Sequence, residues 1–183
     1  MKRVFIIVVS ALMGVATASA QSGWEISAGI GPNIMDLGTS EAASGKKNPS
    51  LVLPYAFVRG GYTFQESFVG VFLNVGFTYA STTYYGGPSP LKESEPVFHV
   101  VPEVRLYYMN TPWIRLFGTL GAGVRIYNYE ETYRGDSVRH SEWTPAWTLS
   151  PFGISIGEHW NFSTELGYSN GWTPVRISVG YRF

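Results

Sequence analysis

The sequence predicts an all-β chain: an eight-stranded antiparallel up-and-down barrel that crosses a membrane. Three observations carry this expectation. The chain divides into eight segments of two-residue periodicity, the connections between them alternate long and short, and the segment ends are rich in aromatic residues. A period of two marks strands with one apolar and one polar face. The 21 glycines and 16% aromatic content suit strands and tight turns better than helices.

The first residues set the compartment. Lys2 and Arg3 precede V-F-I-I-V-V-S-A-L-M-G-V-A, and T-A-S-A follows at Thr17 to Ala20. A charged start, a short apolar run and an A-x-A site form an export signal, so residues 1–20 are expected to be removed and 21–183 to form the barrel domain. The apolar run from Val4 to Ala16 is shorter than the ~20 residues a membrane-spanning helix needs. There is no cysteine, hence no disulfide framework and no thiolate metal site. Without Lys2 and Arg3 the count is 11 basic residues (13 minus 2) against 13 acidic ones. That near-neutral balance gives no reason to expect nucleic acid as a partner.

The eight segments are Trp24–Ile34, Leu51–Thr63, Phe68–Ser81, Val97–Tyr108, Trp113–Tyr127, Trp143–Ile156, Trp160–Tyr168 and Pro174–Phe183. In the third, Val69, Val71, Leu73, Val75, Phe77 and Tyr79 alternate with Gly70, Phe72, Asn74, Gly76 and Thr78. In the seventh, Trp160, Phe162, Leu166 and Tyr168 alternate with Asn161, Ser163, Glu165 and Gly167. The second and sixth carry apolar residues on both faces, which leaves their register open, and Pro145 and Pro151 point to an irregularity in the sixth. Met35–Ser50, Thr82–Pro96 and Asn128–Glu142 read as long loops, separated by short turns at Phe64–Ser67, Met109–Pro112 and Gly157–His159. Long loops at one end and tight turns at the other are the habit of barrels in bacterial outer membranes.

Charge indicates which face is enclosed. Glu25 lies opposite Ile26, Ala28 and Ile30; Glu103 and Arg105 lie opposite Val104 and Leu106; Arg115 and Arg125 lie opposite Leu116, Leu120, Val124 and Ile126. Glu165, Arg176 and Arg182 extend the polar set, Arg59 joins it from the second segment, and His99 shares the face of Glu103. A lipid-facing Arg near the bilayer midplane costs about 2–4 kcal/mol, so the charged face must be inside if the barrel is in lipid. A soluble antiparallel sheet would bury the apolar face instead, and alternation alone fits both arrangements. The export signal, the loop asymmetry and the aromatic ends favour lipid. Trp24, Tyr62, Phe64, Trp113, Trp160 and Phe183 mark the short-turn end; Tyr79, Tyr84, Tyr85, Tyr129, Trp143 and Trp172 mark the other.

With those residues in view, the chain from Gln21 onward resembles the small eight-stranded outer-membrane barrel proteins of Gram-negative bacteria, the OmpA/OmpX-like kind. Its last strand is similar to their C-terminal signature, with Val175, Ile177, Val179, Tyr181 and a final Phe183 on one face. Where that family commonly has Gly, five positions before the end, this chain has Ser178. The resemblance implies that this face is read by the outer-membrane insertion machinery, and that outer-membrane lipid and lipopolysaccharide are neighbours.

Eight staves leave an interior just wide enough for side chains to fill. Glu25, Arg59, His99, Glu103, Arg105, Arg115, Arg125, Glu165, Arg176 and Arg182 are expected to form a lumen ionic network, with Phe72, Tyr107 and Phe117 filling space. The expected function is non-enzymatic: surface interaction or envelope integrity, with specificity for an unidentified extracellular ligand carried by the long loops. A small porin-like channel is the first alternative. A lipid-modifying enzyme is the second, because Asp136, Ser137, His140 and Ser141 supply the parts of an acyl-transfer site, although no G-x-S-x-G elbow is present. A soluble periplasmic lipocalin-like barrel is the structural alternative. His99 and Glu103 lack an identifiable third metal ligand, His159 falls in a turn, and Lys46 and Lys47 could meet lipopolysaccharide phosphates. No cofactor is expected.

Overall fold

The computed structural model describes residues 23–32, 46–52, 54–64, 68–85, 91–133, 136–169 and 175–183. The expected export segment, most of the first long loop and Trp172 lie outside these. Among the described residues nine strands form: β1 (Gly23–Gly31), β2 (Lys46–Val52), β3 (Tyr55–Thr63), β4 (Val69–Tyr85), β5 (Leu91–Asn110), β6 (Ile114–Tyr133), β7 (Asp136–Ile156), β8 (Trp160–Ser169) and β9 (Val175–Arg182).

β2 and β3 are two parts of one stave. β3 pairs with β4 from Gly70 to Phe77, and β2 pairs with the continuation of β4 from Ala80 to Tyr85. Pro54, which has no N–H to give to a ladder, lies in the break between them. Counted this way there are eight staves, each antiparallel to its neighbours, and β1 closes the sheet by pairing with β9. Closure leaves no sheet edge inside the barrel.

The staves differ in length. β4 to β7 run to 17, 20, 20 and 21 residues, while β1, β3, β8 and β9 have 9, 9, 10 and 8. The expected loops Thr82–Pro96 and Asn128–Glu142 are therefore largely paired strand. Tyr84 pairs with Leu91, and Tyr133 with Asp136. The end of the first expected loop, from Lys46 to Ser50, belongs to β2 as well. The composition of the β4 and β6 extensions, T-T-Y-Y and Y-N-Y-E-E-T-Y, carries β-favouring Thr and Tyr.

The irregularity expected in the sixth segment is present: the β7–β8 register shifts between Leu149 and Phe152, around Pro151. Matching shifts occur between Tyr107 and Met109 and between Phe117 and Thr119. The three meet on the outer wall, where the Tyr108 hydroxyl donates to the Pro151 carbonyl at 3.1 Å. A Cβ at Gly118 would lie 2.3 Å from that hydroxyl, so glycine is needed beneath it. Tyr108→Phe leaves a carbonyl unsatisfied and is expected to cost about 1 kcal/mol in unfolding free energy; an unchanged denaturant midpoint would show that the bond contributes nothing. At the turn end, Gly157 has φ +118°, and a Cβ there would come within 2.0 Å of the Trp160 carbonyl oxygen, so this tight turn requires glycine.

Candidate functional site: a filled polar lumen and an extramembrane sheet

Strand geometry sends alternate side chains into one confined space, and most inward positions there are polar, small or ring-bearing, with Val97 and Val101 as aliphatic exceptions. Arg59 on β3, Arg105 on β5, Arg115 on β6 and Arg182 on β9 are among the largest fully buried side chains, and Arg59 is 0% exposed. Glu165 on β8 receives Arg59 Nη1 at 2.5 Å, Arg176 Nη2 at 2.6 Å and Arg105 Nη2 at 3.0 Å. Glu103 on β5 receives Arg176 Nη1 at 2.7 Å and forms an ion pair with Arg59, whose Nε lies 2.8 Å away. Glu25 on β1 meets Arg105 at 3.3 Å, Arg182 at 3.5 Å and Arg115 at 3.6 Å. These distances fall within charge-assisted contact at the centre and loosen toward the short-turn end.

Neutral groups complete the network. Asn74 donates to Glu103 Oε1 at 2.9 Å and accepts from the Tyr55 hydroxyl at 3.1 Å, while Thr119 donates to Glu165 Oε2 at 3.4 Å. Aromatic rings fill what remains. The Arg105 guanidinium stands 4.3 Å from the Phe117 ring centroid and 4.5 Å from that of Phe72. Phe117 packs over Gly153 and Tyr55 over Gly76, where a Cβ would come within 2.5 Å and 2.3 Å of ring atoms. Glycine on one stave thus makes room for a ring from another.

His99 and Arg125 sit nearer the long-strand end of the polar set. His99 lies edge-on to Tyr55, centroids 5.4 Å apart, and Arg125 donates to Thr144 at 3.4 Å with its guanidinium over Tyr127. Sequence reasoning missed the inward Tyr55, Phe57, Val97 and Val101, all buried. The second segment hid the first two, since its apolar residues face both ways. Its register is now fixed: Tyr55, Phe57, Arg59, Gly61 and Thr63 point inward.

The outer surface is the converse. Ile26, Ile30, Val58, Val71, Leu73, Val75, Val104, Leu106, Leu120, Leu149, Phe162, Leu166, Ile177 and Val179 are exposed, and they encircle the staves. Trp24, Phe64, Trp113, Trp160 and Phe183 are exposed around the short-turn rim. There Trp24 meets Tyr62 edge-to-face at 5.3 Å, and Tyr181 meets both Trp160 at 5.1 Å and Phe183 at 5.0 Å. Buried charge inside and a continuous apolar exterior invert the order of a soluble barrel, in which that much exposed apolar surface would drive association. The chain is a transmembrane β-barrel.

No protein-family model matches this barrel, and no curated protein does. Among solved structures it is similar to Ail, the attachment invasion locus protein of Yersinia pestis, at 17% identity and a TM-score of 0.49, over 90% of this chain and 99% of that one. A second structure of Ail, in complex with the heparin analogue sucrose octasulfate, matches at 17% identity and a TM-score of 0.47, over 88% and 97%.

Beyond the apolar belt, β4 to β7 continue as a sheet that β2 joins at one side. Among the described residues, β7 pairs with β8 only from Thr148 onward, and Asp136 to Thr144 pair with β6 alone. Residues 137 to 143 are all exposed, on both faces. Glu95, Tyr127, Tyr129, His140, Glu142 and Thr144 line a concavity of about 540 Å³ on this extension.

The acyl-transfer parts do not converge. Ser137 and His140 are three residues apart on one strand, hence on opposite faces, and Ser141 turns away from His140 to donate to Asn128 at 3.1 Å. A nucleophile and base must lie within hydrogen-bond reach. His159 stacks on Tyr181 at 6.1 Å, with Nδ1 3.1 Å from the Arg182 carbonyl oxygen.

Proposed function

We propose that this protein is a non-enzymatic outer-membrane barrel that serves surface interaction, presenting its extramembrane sheet to the outside. The observation that carries the proposal is the edge of β7 from Asp136 to Thr144, which among the described residues pairs on one side only. An unpaired edge offers backbone N–H and C=O groups to an incoming strand, and natural proteins usually protect such edges. The concavity beside it supplies Tyr127, Tyr129, Glu95 and Glu142 for side-chain contacts. The packed lumen weighs against transport, since Phe117 and four arginines have almost no accessible surface. Lipopolysaccharide surrounds the barrel in this reading, and the outward face of β9 (Val175, Ile177, Val179, Tyr181, Phe183) serves as its insertion signal, following an export segment at residues 1–20.

The absence of cysteine makes orientation directly testable. Val138→Cys is expected to react with a membrane-impermeant maleimide on intact cells, and His159→Cys only after lysis. The opposite pattern would point the extension at the periplasm and end the surface reading. The channel alternative is tested by single-channel recording of the refolded protein in a planar bilayer, with heat-modifiable gel mobility as the folding control. Silence from a folded barrel is expected; steady openings would put transport first.

A further inference from the structure

We propose that the short-turn end of the lumen binds a small inorganic anion, held by Arg115, Arg182 and the side-chain amides of Asn110 and Asn161. Among the described residues, Arg59, Arg105, Arg115, Arg176 and Arg182 form one connected set with Glu25, Glu103 and Glu165, five cations against three anions. The surplus is two positive charges in a space shielded from bulk water, where uncompensated charge is costly.

The surplus is not evenly spread. Glu103 and Glu165 hold Arg59 and Arg176 at 2.5–2.8 Å, two carboxylates matched to two guanidiniums. Arg105 bridges Glu165 and Glu25. Glu25 is therefore shared by three guanidiniums, all at 3.3 Å or beyond. A single carboxylate carries one charge, however many lone pairs it offers, so the excess collects around Arg115 and Arg182.

Neutral donors gather at the same place. Asn110 pairs in register with Arg115, Arg115 with Ser155, and Ser155 donates to Asn161. Asn161 in turn pairs with Gly180 on β9, two residues from Arg182. These side chains thus occupy the short-turn ends of consecutive staves from β5 to β9. Asn110 is 1% exposed, and neither atom of its amide has a hydrogen-bond partner among the described residues. Asn161, also buried, spends its oxygen accepting from Ser155 and Ser163, and its amide nitrogen has no partner among them either. A buried amide left unsatisfied loses its water without gaining a partner. An anion satisfies both N–H groups and halves the charge surplus at once, whereas water would leave the charge in place. Arg182 also donates to the carbonyls of Pro112 and Glu158 in the short turns, which puts this end of the network at the rim, within reach of ions from solution.

The test is the unfolding midpoint of the refolded protein in detergent, as chloride replaces gluconate at constant ionic strength. Binding to the folded state alone predicts a saturable rise with chloride. Asn110→Leu and Arg115→Gln are each expected to abolish that rise. If Arg115→Gln fails to fold, Asn110→Leu still decides, because it removes the amide and leaves the charge count unchanged. Crystals of the unaltered protein grown in bromide should show anomalous density against Arg115 and Asn110. Equal midpoints in the two salts, a chloride effect that survives Asn110→Leu, or bromide density only elsewhere would each overturn the proposal.

Discussion

Glu165→Gln is expected to destabilise the folded barrel by about 3–5 kcal/mol, the cost of removing one partner from a buried ionic cluster. Glu165 is the hub of the lumen. It receives Arg59, Arg105 and Arg176 from three different staves and a hydroxyl from Thr119 on a fourth. Glutamine keeps the shape and removes the charge, so three guanidiniums remain enclosed with Glu103 and Glu25 as their carboxylates. The loss should appear as a lower denaturant midpoint and a reduced yield of the compact, heat-modifiable form. Adding Arg105→Gln restores the original charge surplus. The double variant should therefore be more stable than the sum of the two single changes predicts, a coupling of the kind seen between groups sharing one network. A midpoint unchanged by Glu165→Gln would mean that water compensates the arginines, and that the lumen is wet rather than filled.

How much of this was legible in the sequence depends on where a residue sits relative to the membrane. Within the belt, every stave has lipid on one side and a polar interior on the other, so the environment enforces alternation residue by residue. Val69 to Thr78 and Trp160 to Gly167 show the result. Positions such as Glu103, Arg105 and Arg176 could be assigned to the lumen for the same reason. Above the belt both faces meet water, and nothing requires alternation. Asn128 to Tyr133 and Asp136 to Glu142 consequently lack the alternation and read as loop, although they are paired strands. The other gap lies in Tyr55 to Thr63, where Tyr55 and Phe57 point inward and Val58 outward. An apolar residue is acceptable on either side of a barrel wall, so only the partners on the neighbouring staves decide. Tyr55 is fixed by Gly76 and Asn74 on β4, and Phe57 by Gly29 on β1. Such pairings join distant parts of the chain and leave no local trace. The ion pairs have the same limitation: the sequence indicates which residues share the lumen, while the choice of Glu165 as hub follows from closure of the barrel.

A pair of outward-facing arginine substitutions separates a membrane barrel from a soluble one, and their expected effects differ sharply. Leu120 is 60% exposed and faces outward between Val104 and Leu149 in the register of β5, β6 and β7. Val138 is 52% exposed, on the extension opposite Glu131. In water both replacements should be nearly neutral, because exposed sites away from specific contacts tolerate change within about 0.5 kcal/mol. In lipid they part company. Arginine at position 120 must take its charge into the hydrocarbon, with its neighbours on both sides apolar, and is expected to cost about 2–4 kcal/mol. Arginine at 138 remains in solvent and should leave stability unchanged. The measurement is an unfolding titration of each variant reconstituted in phospholipid vesicles. Equal, small effects at the two positions would return the apolar exterior to water and take the barrel out of the membrane. A large loss at 120 alone would assign the belt to lipid and the extension to solvent, and would leave the free edge of β7 facing the medium from which any partner must come.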